Sequence, residues 1–412
     1  MFPYPSGAGL HTGHYYNYAV MDTYCRWLRL QGQTVIQPFG YDAFGLPAEN
    51  YAKQIGGDPA EVTWENIQRF RTQMSRMNTR YDERLVTCSP GYTKWTKWLF
   101  TRLKEEGLAY KAWGDVNFCP DCNTVLANEQ VKDGKCDRCE TKIETKNLNQ
   151  WYFKITAYAK RLIQNLDIID YPEGTKKQQR KWLENQRDWC VSRQRKWGCP
   201  IPIEGETDTL DTFVDSSFYY VRYLDSNNST QLCHPDKYRQ VDLYVGGPEH
   251  ACMHLIYARF IHMFLFDIGA VTNEEPFKKV IHQGTITNAG SKMSKSKGNA
   301  VCPDNYNPDE LRMHLMFLGP YSEGGDWGDD KMTGIKRFLG RMRGWLGNTD
   351  GQTLSTRALE DKINGYVLEF KFNMAIAELM KFYNDNKHKP VDLCTSRDIT
   401  NLLKCFAPGF EI

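Results

Sequence analysis

The sequence predicts an α/β protein in which a parallel sheet is split by a long insertion and followed by an α-helical bundle. Three observations lead there. A Pro/Gly-rich turn, a helical pattern and a short apolar strand follow one another at the start of the chain. A second strand, helix and strand recur within residues 241–284, and from about Thr333 onward the pattern is helical.

Each element has its reason. "GHYYNYAVMDTYCRWLRLQG" spaces its apolar residues for a helix ending at Gly32, and "TVIQPFGYDAFG" then reads as a buried strand and loop. In the insertion, "CPDCNTVLANEQVKDGKCDRC" sets Cys119 and Cys122, then Cys136 and Cys139, at the spacing that bends around one ion. Four thiolates satisfy tetrahedral Zn2+ and leave no open position, so such a knuckle is expected to be structural or to shape a binding surface, not to be catalytic. "VDLYVGG", "PEHACMHLIYARFIHMFLFDIG" and "KKVIHQG" supply the second strand, helix and strand; "IKRFLGRMRGWL", "EDKINGYVLEFKFNMAIAELMKFYND" and "TSRDITNLLKCFAP" supply the bundle.

With 412 residues, 41% apolar and 13% aromatic, the chain is an ordinary globular protein, neither disordered nor fibrous. Its longest apolar region is interrupted by His254, Arg259, His262 and Asp267, which predicts a buried helix and no membrane span. The absence of a charged-then-apolar leader predicts a cytoplasmic address, and 13 cysteines in such a chain predict thiols and a metal site over disulfides. A net charge of +2 gives no global attraction to nucleic acid. Between Gly174 and Gly198, however, Lys176, Lys177, Arg180, Lys181, Arg187, Arg193, Arg195 and Lys196 face only Glu184 and Asp188, with Trp182, Trp189 and Trp197 interleaved. That composition suits phosphates and unpaired bases, and equally a solvated helix face over buried indoles.

Two further stretches carry chemistry. His11-Thr12-Gly13-His14 opens the first helix, where unpaired N–H groups and a partial positive charge suit phosphate. A pair of capping histidines is the plainer reading, and Gly13 leaves room for a flat ring against the backbone. Late in the chain, "GSKMSKSKGN" packs Lys292, Lys295 and Lys297 among small residues, a loop able to close over a triphosphate.

HxGH near the start and KMSKS near the end of a split α/β sheet together resemble the class I aminoacyl-tRNA synthetases. "MFPYPSGAGLHTGH", "GYDAFGLPAEN", "CPDCNTVLANEQV", "QWYFKIT", "RDWCVSRQRKWGCPIPI", "DTFVDSSFYY" and "VDLYVGGPEHACMHLIYARF" narrow the resemblance to the leucyl-tRNA synthetase family, up to about residue 340. The resemblance implies a Rossmann-like sheet whose first half spans residues 1–112, a zinc-knuckle insert at 113–146, a connective remnant at 147–205, a second catalytic half at 206–300, a stem-contact junction at 301–335, and a bundle at 336–412 similar to the start of an anticodon-binding domain.

It also implies roles. His11, His14, Lys292 and Lys295 would serve the phosphates of ATP with Mg2+; Gly13, Gly246, Gly247, Glu249 and Met293 would hold the nucleotide. Asp42, with the Phe2 backbone, would bind the leucine ammonium, and Tyr4, Ser216, Tyr219, His250 and His254 would line its side-chain slot. His250 and His254 lie four apart, which predicts one shared helix face; a metal pair with Glu249 and ordinary core histidines are the competing readings. The implied partners are leucine, ATP and tRNA(Leu), with no membrane and a monomeric state. One departure stands out: Gln186 runs straight into Arg187 where the family inserts an editing domain. The short stretch before KMSKS, the first residue at "MFPYPSG" and the end at Ile412 depart too, and lead to the expectation of a compact or trimmed form. A compact leucine–tRNA ligase is therefore expected, the alternative being a leucine-activating paralogue that serves a non-tRNA acceptor.

Overall fold

The computed structural model describes residues 1–5, 7, 9–127, 130–136, 139–293 and 298–412. The first helix, Thr12–Leu30, buries Tyr15, Tyr16, Ala19, Val20 and Trp27 on the face that its spacing foretold. Strand Pro38–Tyr41 follows and runs parallel to Asp82–Val86, with Pro38 opposite Asp82 and Tyr41 opposite Val86. Helices Leu46–Ile55 and Pro59–Arg76 make the crossover. Asp58 caps the second of these, its carboxylate accepting from the N–H groups of Ala60 at 2.9 Å and Glu61 at 3.2 Å.

The second parallel pair is Val241–Gly246 with Phe277–His282, joined through helix His254–Asp267. That helix is buried from His254 to Leu265, as an all-round apolar helix must be. Among the described residues these two parallel pairs are separate ladders, and a third parallel pair, Thr285–Asn288 with Gly324–Asp326, belongs to neither. Residues Met1–Pro3 lie extended along the first: the Met1 ammonium donates to the Pro38 carbonyl at 2.9 Å, and Asp42 N donates to the Pro3 carbonyl at 3.0 Å. Pro3 has no N–H to return, which stops this stretch from becoming a full ladder strand.

Between the halves, Ala109–Cys119 and Glu144–Phe153 form a long antiparallel ribbon, paired from Ala109–Phe153 to Phe118–Glu144. Its far end carries the cysteines, and its base is flanked by the short strand Trp189–Cys190.

Helices Met332–Leu346, Arg357–Leu368, Phe372–Asn386 and Leu393–Phe406 form the terminal bundle. It has no core of its own. One apolar cluster runs from Leu10 and Trp27 of the opening segment and first helix through Leu311 and Leu315 of helix Pro308–Phe317 to Leu346, Leu403 and Phe410. A buried ion triad crosses the same junction: Asp22 accepts from Arg26 Nε and Arg312 Nη2, each at 2.7 Å. Burial pushes the Asp22 carboxyl up, but Arg312 and Arg26 outweigh it and hold the group at about 2.

Candidate functional site

The head of the first helix and the late loop meet. Thr12 Oγ1 donates to Met293 Sδ at 3.0 Å across 281 residues of sequence, and Thr12 N donates to the Val301 carbonyl at 2.9 Å. Directly beside this contact, His11 is the N-cap residue of Thr12–Leu30, its Nδ1 accepting from His14 N at 3.3 Å. The two imidazoles stack with centroids 3.6 Å apart. A Cβ on Gly13 would lie 3.0 Å from His11 Cε1, so the flat ring that glycine accommodates is that of His11. The capping and phosphate-site readings are thus compatible: a reciprocal cap orients both rings at the positive end of the helix.

Lys292 Nζ lies 3.7 Å from Glu249 Oε1, on the turn that follows strand Val241–Gly246. Burial pushes the Glu249 carboxyl up, and its own backbone N–H, Lys292 and His250 outweigh that and hold it below its ordinary value. A Cβ on Gly247 would come 2.1 Å from Glu249 Oε2, so only glycine lets that carboxylate fold back over the turn. Lys295 and Lys297 lie outside the described residues.

Asp42 ends the first strand at the other side of the opening segment. It is 2% exposed; Oδ1 accepts from Thr212 Oγ1 at 3.1 Å, and Oδ2 is buried with no hydrogen-bond partner. Burial pushes its carboxyl up to about 8, with Asp211 adding to the shift and Thr212 opposing it. An orphaned buried carboxylate oxygen is the acceptor an ammonium group requires.

Around it, Phe2 stacks on Tyr219 at 3.9 Å, and Tyr4 is half-buried in the same opening segment. Ser216 Oγ lies 3.4 Å from His254 Nδ1, and Tyr244, a residue the sequence reading missed, joins the set. Its hydroxyl lies 2.6 Å from His254 Nε2 and accepts from the Tyr219 hydroxyl at 2.9 Å. Burial pushes His254 down to about 3, so its ring is neutral at physiological pH. The shared helix face expected for His250 and His254 is not observed. His250 closes a separate 3-10 turn, Pro248–His250, helix His254–Asp267 starts after the non-helical Met253, and the two rings stand at 89°. Among the described residues the cysteines are the one set of three or more potential metal ligands that converges, and Glu249, His250 and His254 do not form a second.

The four cysteines do converge. Their sulfurs lie within 4.8 Å of one another, with Cys119–Cys139 at 3.4 Å, Cys122–Cys139 at 3.5 Å and Cys122–Cys136 at 4.0 Å. Tetrahedral zinc with bonds of about 2.3 Å places its sulfurs about 3.8 Å apart, so the donor set fits.

A description of class I tRNA synthetases for isoleucine, leucine, methionine and valine matches residues 2–207, and one for the methionine class matches 119–337. A leucine–tRNA ligase of Clostridium botulinum is 31% identical in an alignment covering 100% of this chain and 84% of that protein. The chain belongs to the leucine–tRNA ligase family of class I synthetases. A leucine–tRNA ligase of Clostridium kluyveri matches to the same extent, 31% identical over 100% of this chain and 84% of its own length. Among solved structures, the ternary complex of the Agrobacterium radiobacter K84 agnB2 LeuRS with tRNA and LeuAMS superposes with a TM-score of 0.90 at 25% identity, over 99% of this chain and 83% of that one. Mycobacterium tuberculosis methionyl-tRNA synthetase bound by methionyl-adenylate shares the fold, with a TM-score of 0.75 at 18% identity over 99% of this chain and 91% of that one.

This chain is shorter than the stretch of its relatives to which it aligns. The alignment to the Clostridium botulinum enzyme spans 684 positions against 412 residues here. Helix Glu173–Leu183 and strand Trp189–Cys190 are separated only by residues 184–188, where an editing domain was expected to be absent. Much of the basic segment there is internally paired: Arg193 with Asp211, Arg195 with Glu49 at 2.9 Å, and Arg180 with Asp167 at 2.8 Å. Trp189 stacks on Tyr257 at 3.8 Å in the core, and Trp182 and Trp197 pack against it half-buried, so the indoles form no open stacking face. A freer basic surface lies on the bundle, a groove of about 310 Å³ lined by Lys331, Arg337, Arg341, the exposed Phe317, Met380 and Tyr383, with no carboxylate among its described lining residues.

Proposed function

We propose that this chain activates leucine with ATP and transfers it to tRNA(Leu), without a hydrolytic editing domain, in the cytoplasm. The observation that carries the reading is the contact of the His11–His14 cap with Met293 of the KMSKS stretch through Thr12, in a chain whose first strand also ends at Asp42 with an unpartnered carboxylate oxygen.

Asp42 and the Phe2 backbone would receive the leucine ammonium, with Tyr4, Ser216, Tyr219, His250, His254 and Tyr244 around the isobutyl group. Gly13, Gly246, Gly247, Glu249 and Met293 would hold the nucleotide. ATP enters with its magnesium ion, a substrate complex. A leucine carboxylate oxygen attacks the α-phosphorus in line, the bond to the bridging oxygen breaks, and its electrons leave with pyrophosphate. His11, His14, Lys292 and Lys295 would stabilise that charge. The ribose hydroxyl at the tRNA terminus then attacks the leucyl carbonyl carbon, and AMP leaves. Position and charge supply the rate, since no protein group becomes covalently modified. The cysteine cluster would hold one structural zinc. The bundle groove, cationic and free of carboxylates, suits the tRNA backbone.

Leucine-dependent ATP–pyrophosphate exchange without tRNA, run beside charging of tRNA(Leu), tests this. Both activities are expected. Exchange without charging would overturn the acceptor, and absence of both would overturn the reading.

A further inference from the structure

Helix Glu173–Leu183 turns two buried polar side chains, Thr175 and Gln179, toward the same neighbour. They lie one turn apart on one face, and each is held to an end of the segment Gly246–Ala251. At the first end, Thr175 Oγ1 lies 2.6 Å from His282 Nε2, and His282 Nδ1 lies 3.0 Å from the Gly246 carbonyl. A carbonyl only accepts, so Nδ1 carries the proton and the Thr175 hydroxyl donates to Nε2. At the other end, Gln179 Nε2 donates to the Ala251 carbonyl at 2.8 Å, while its Oε1 accepts from Arg259 Nη1 at 2.9 Å. Arg259 is itself fixed by Glu275, at 2.8 and 2.7 Å, and by the Leu162 carbonyl at 2.8 Å.

The segment gripped in this way contains Gly246, Gly247, Glu249 and His250, which the proposed function assigns to the nucleotide and the leucine. We infer that Thr175, His282 and Gln179 are positioning residues that hold the adenosine-binding turn at both ends from helix Glu173–Leu183. The inference rests on the proposed function. None of the three touches substrate; they act by fixing where the Gly246–Glu249 backbone and carboxylate stand. Because the turn contacts a part of ATP remote from the breaking bond, loosening it removes binding felt equally in ground and transition states.

Two variants separate this from simple packing. Gln179→Glu keeps an oxygen acceptor for Arg259 and loses the N–H donor to Ala251. Thr175→Val removes the hydroxyl at nearly constant volume, and Thr175→Ser restores it. Leucine-dependent ATP–pyrophosphate exchange would be measured for all three, with thermal melting alongside. The expected result is a rise of about tenfold in the KM for ATP, with kcat within twofold, for Gln179→Glu and Thr175→Val, and recovery in Thr175→Ser. An ATP KM within twofold of wild type in both variants would overturn the inference whether or not they melt earlier, as would failure of Thr175→Ser to restore it. A wild-type chain without exchange overturns the functional reading, and this inference with it.

Discussion

Replacing Asp42 with Asn removes one charge while keeping the shape and the Oδ1 acceptor for Thr212. In the free site the carboxyl is pushed up to about 8 by burial, so at pH 7 most molecules carry it protonated. An ammonium group needs the ionised form; leucine binding therefore expels a proton, and affinity should climb about tenfold per pH unit up to pH 8, then level off. Asn leaves the bound ammonium in a buried site without its counter-charge. Breaking a buried pair in this way costs about 3–5 kcal/mol, which lowers kcat/KM for leucine by roughly two to three and a half orders of magnitude. Stability should move the other way. A carboxyl whose native pKa lies above its unfolded value binds more protons folded than unfolded, so stability falls as pH rises from about 4 to 8. Asp42→Asn abolishes that loss and should melt higher than wild type at pH 8. Pyrophosphate exchange at pH 6, 7 and 8 with melting curves at the same values tests both halves. A leucine KM flat across that range, or kcat/KM within threefold of wild type in Asp42→Asn at pH 8, would refute the assignment.

Asp22→Asn should cost about 3–5 kcal/mol in urea unfolding at pH 7, because Arg312 and Arg26 lose their shared counter-charge in the interior. Its native pKa is depressed to about 2, so the contribution is present above about pH 4 and disappears as pH falls through 2; identical wild-type and variant midpoints at pH 7 would contradict this. Elemental analysis should return one zinc per chain, lost on joint replacement of Cys119 and Cys139 by Ser; metal-free wild type would dismiss the knuckle. Norvaline, one methylene short of leucine, should accumulate on tRNA(Leu), because a methylene in an apolar slot discriminates by only about 1–3 kcal/mol and the proposed function includes no hydrolytic editing. Clean charging would mean a second sieve exists.

What the sequence disclosed and what it hid divide along physical lines. The convergence of the paired cysteines and the helix-opening place of the two histidines were legible because spacing marks them locally, while Asp42 was singled out through the resemblance. Tyr244 was not: within "VDLYVGG" it reads as one more strand aromatic, and only the fold sets its hydroxyl beside His254. The expectation for His250 and His254 assumed an unbroken helix, which Met253 interrupts with φ −116° and ψ −103°. The basic run stayed ambiguous for a like reason, since Glu49 and Asp211 lie outside it and composition does not reveal that they pair with it. Strands Pro38–Tyr41, Val241–Gly246 and Phe277–His282 and the terminal helices were evident from periodicity, whereas Asp82–Val86, the parallel partner of Pro38–Tyr41, was not read from the sequence. That the bundle would share its interior with the first helix was not evident either, because amphipathic faces declare that they need covering without saying by what.

That common interior changes what the terminal helices are for. Leu403 and Phe410 belong to the same apolar cluster as Tyr15, Tyr16 and Trp27 of the helix that His11 caps. Residues 332–412 are therefore scaffolding for the first helix. Excising them would not leave a smaller working enzyme, but would turn the back of the first helix, and with it the cap that aims both imidazoles, out into water.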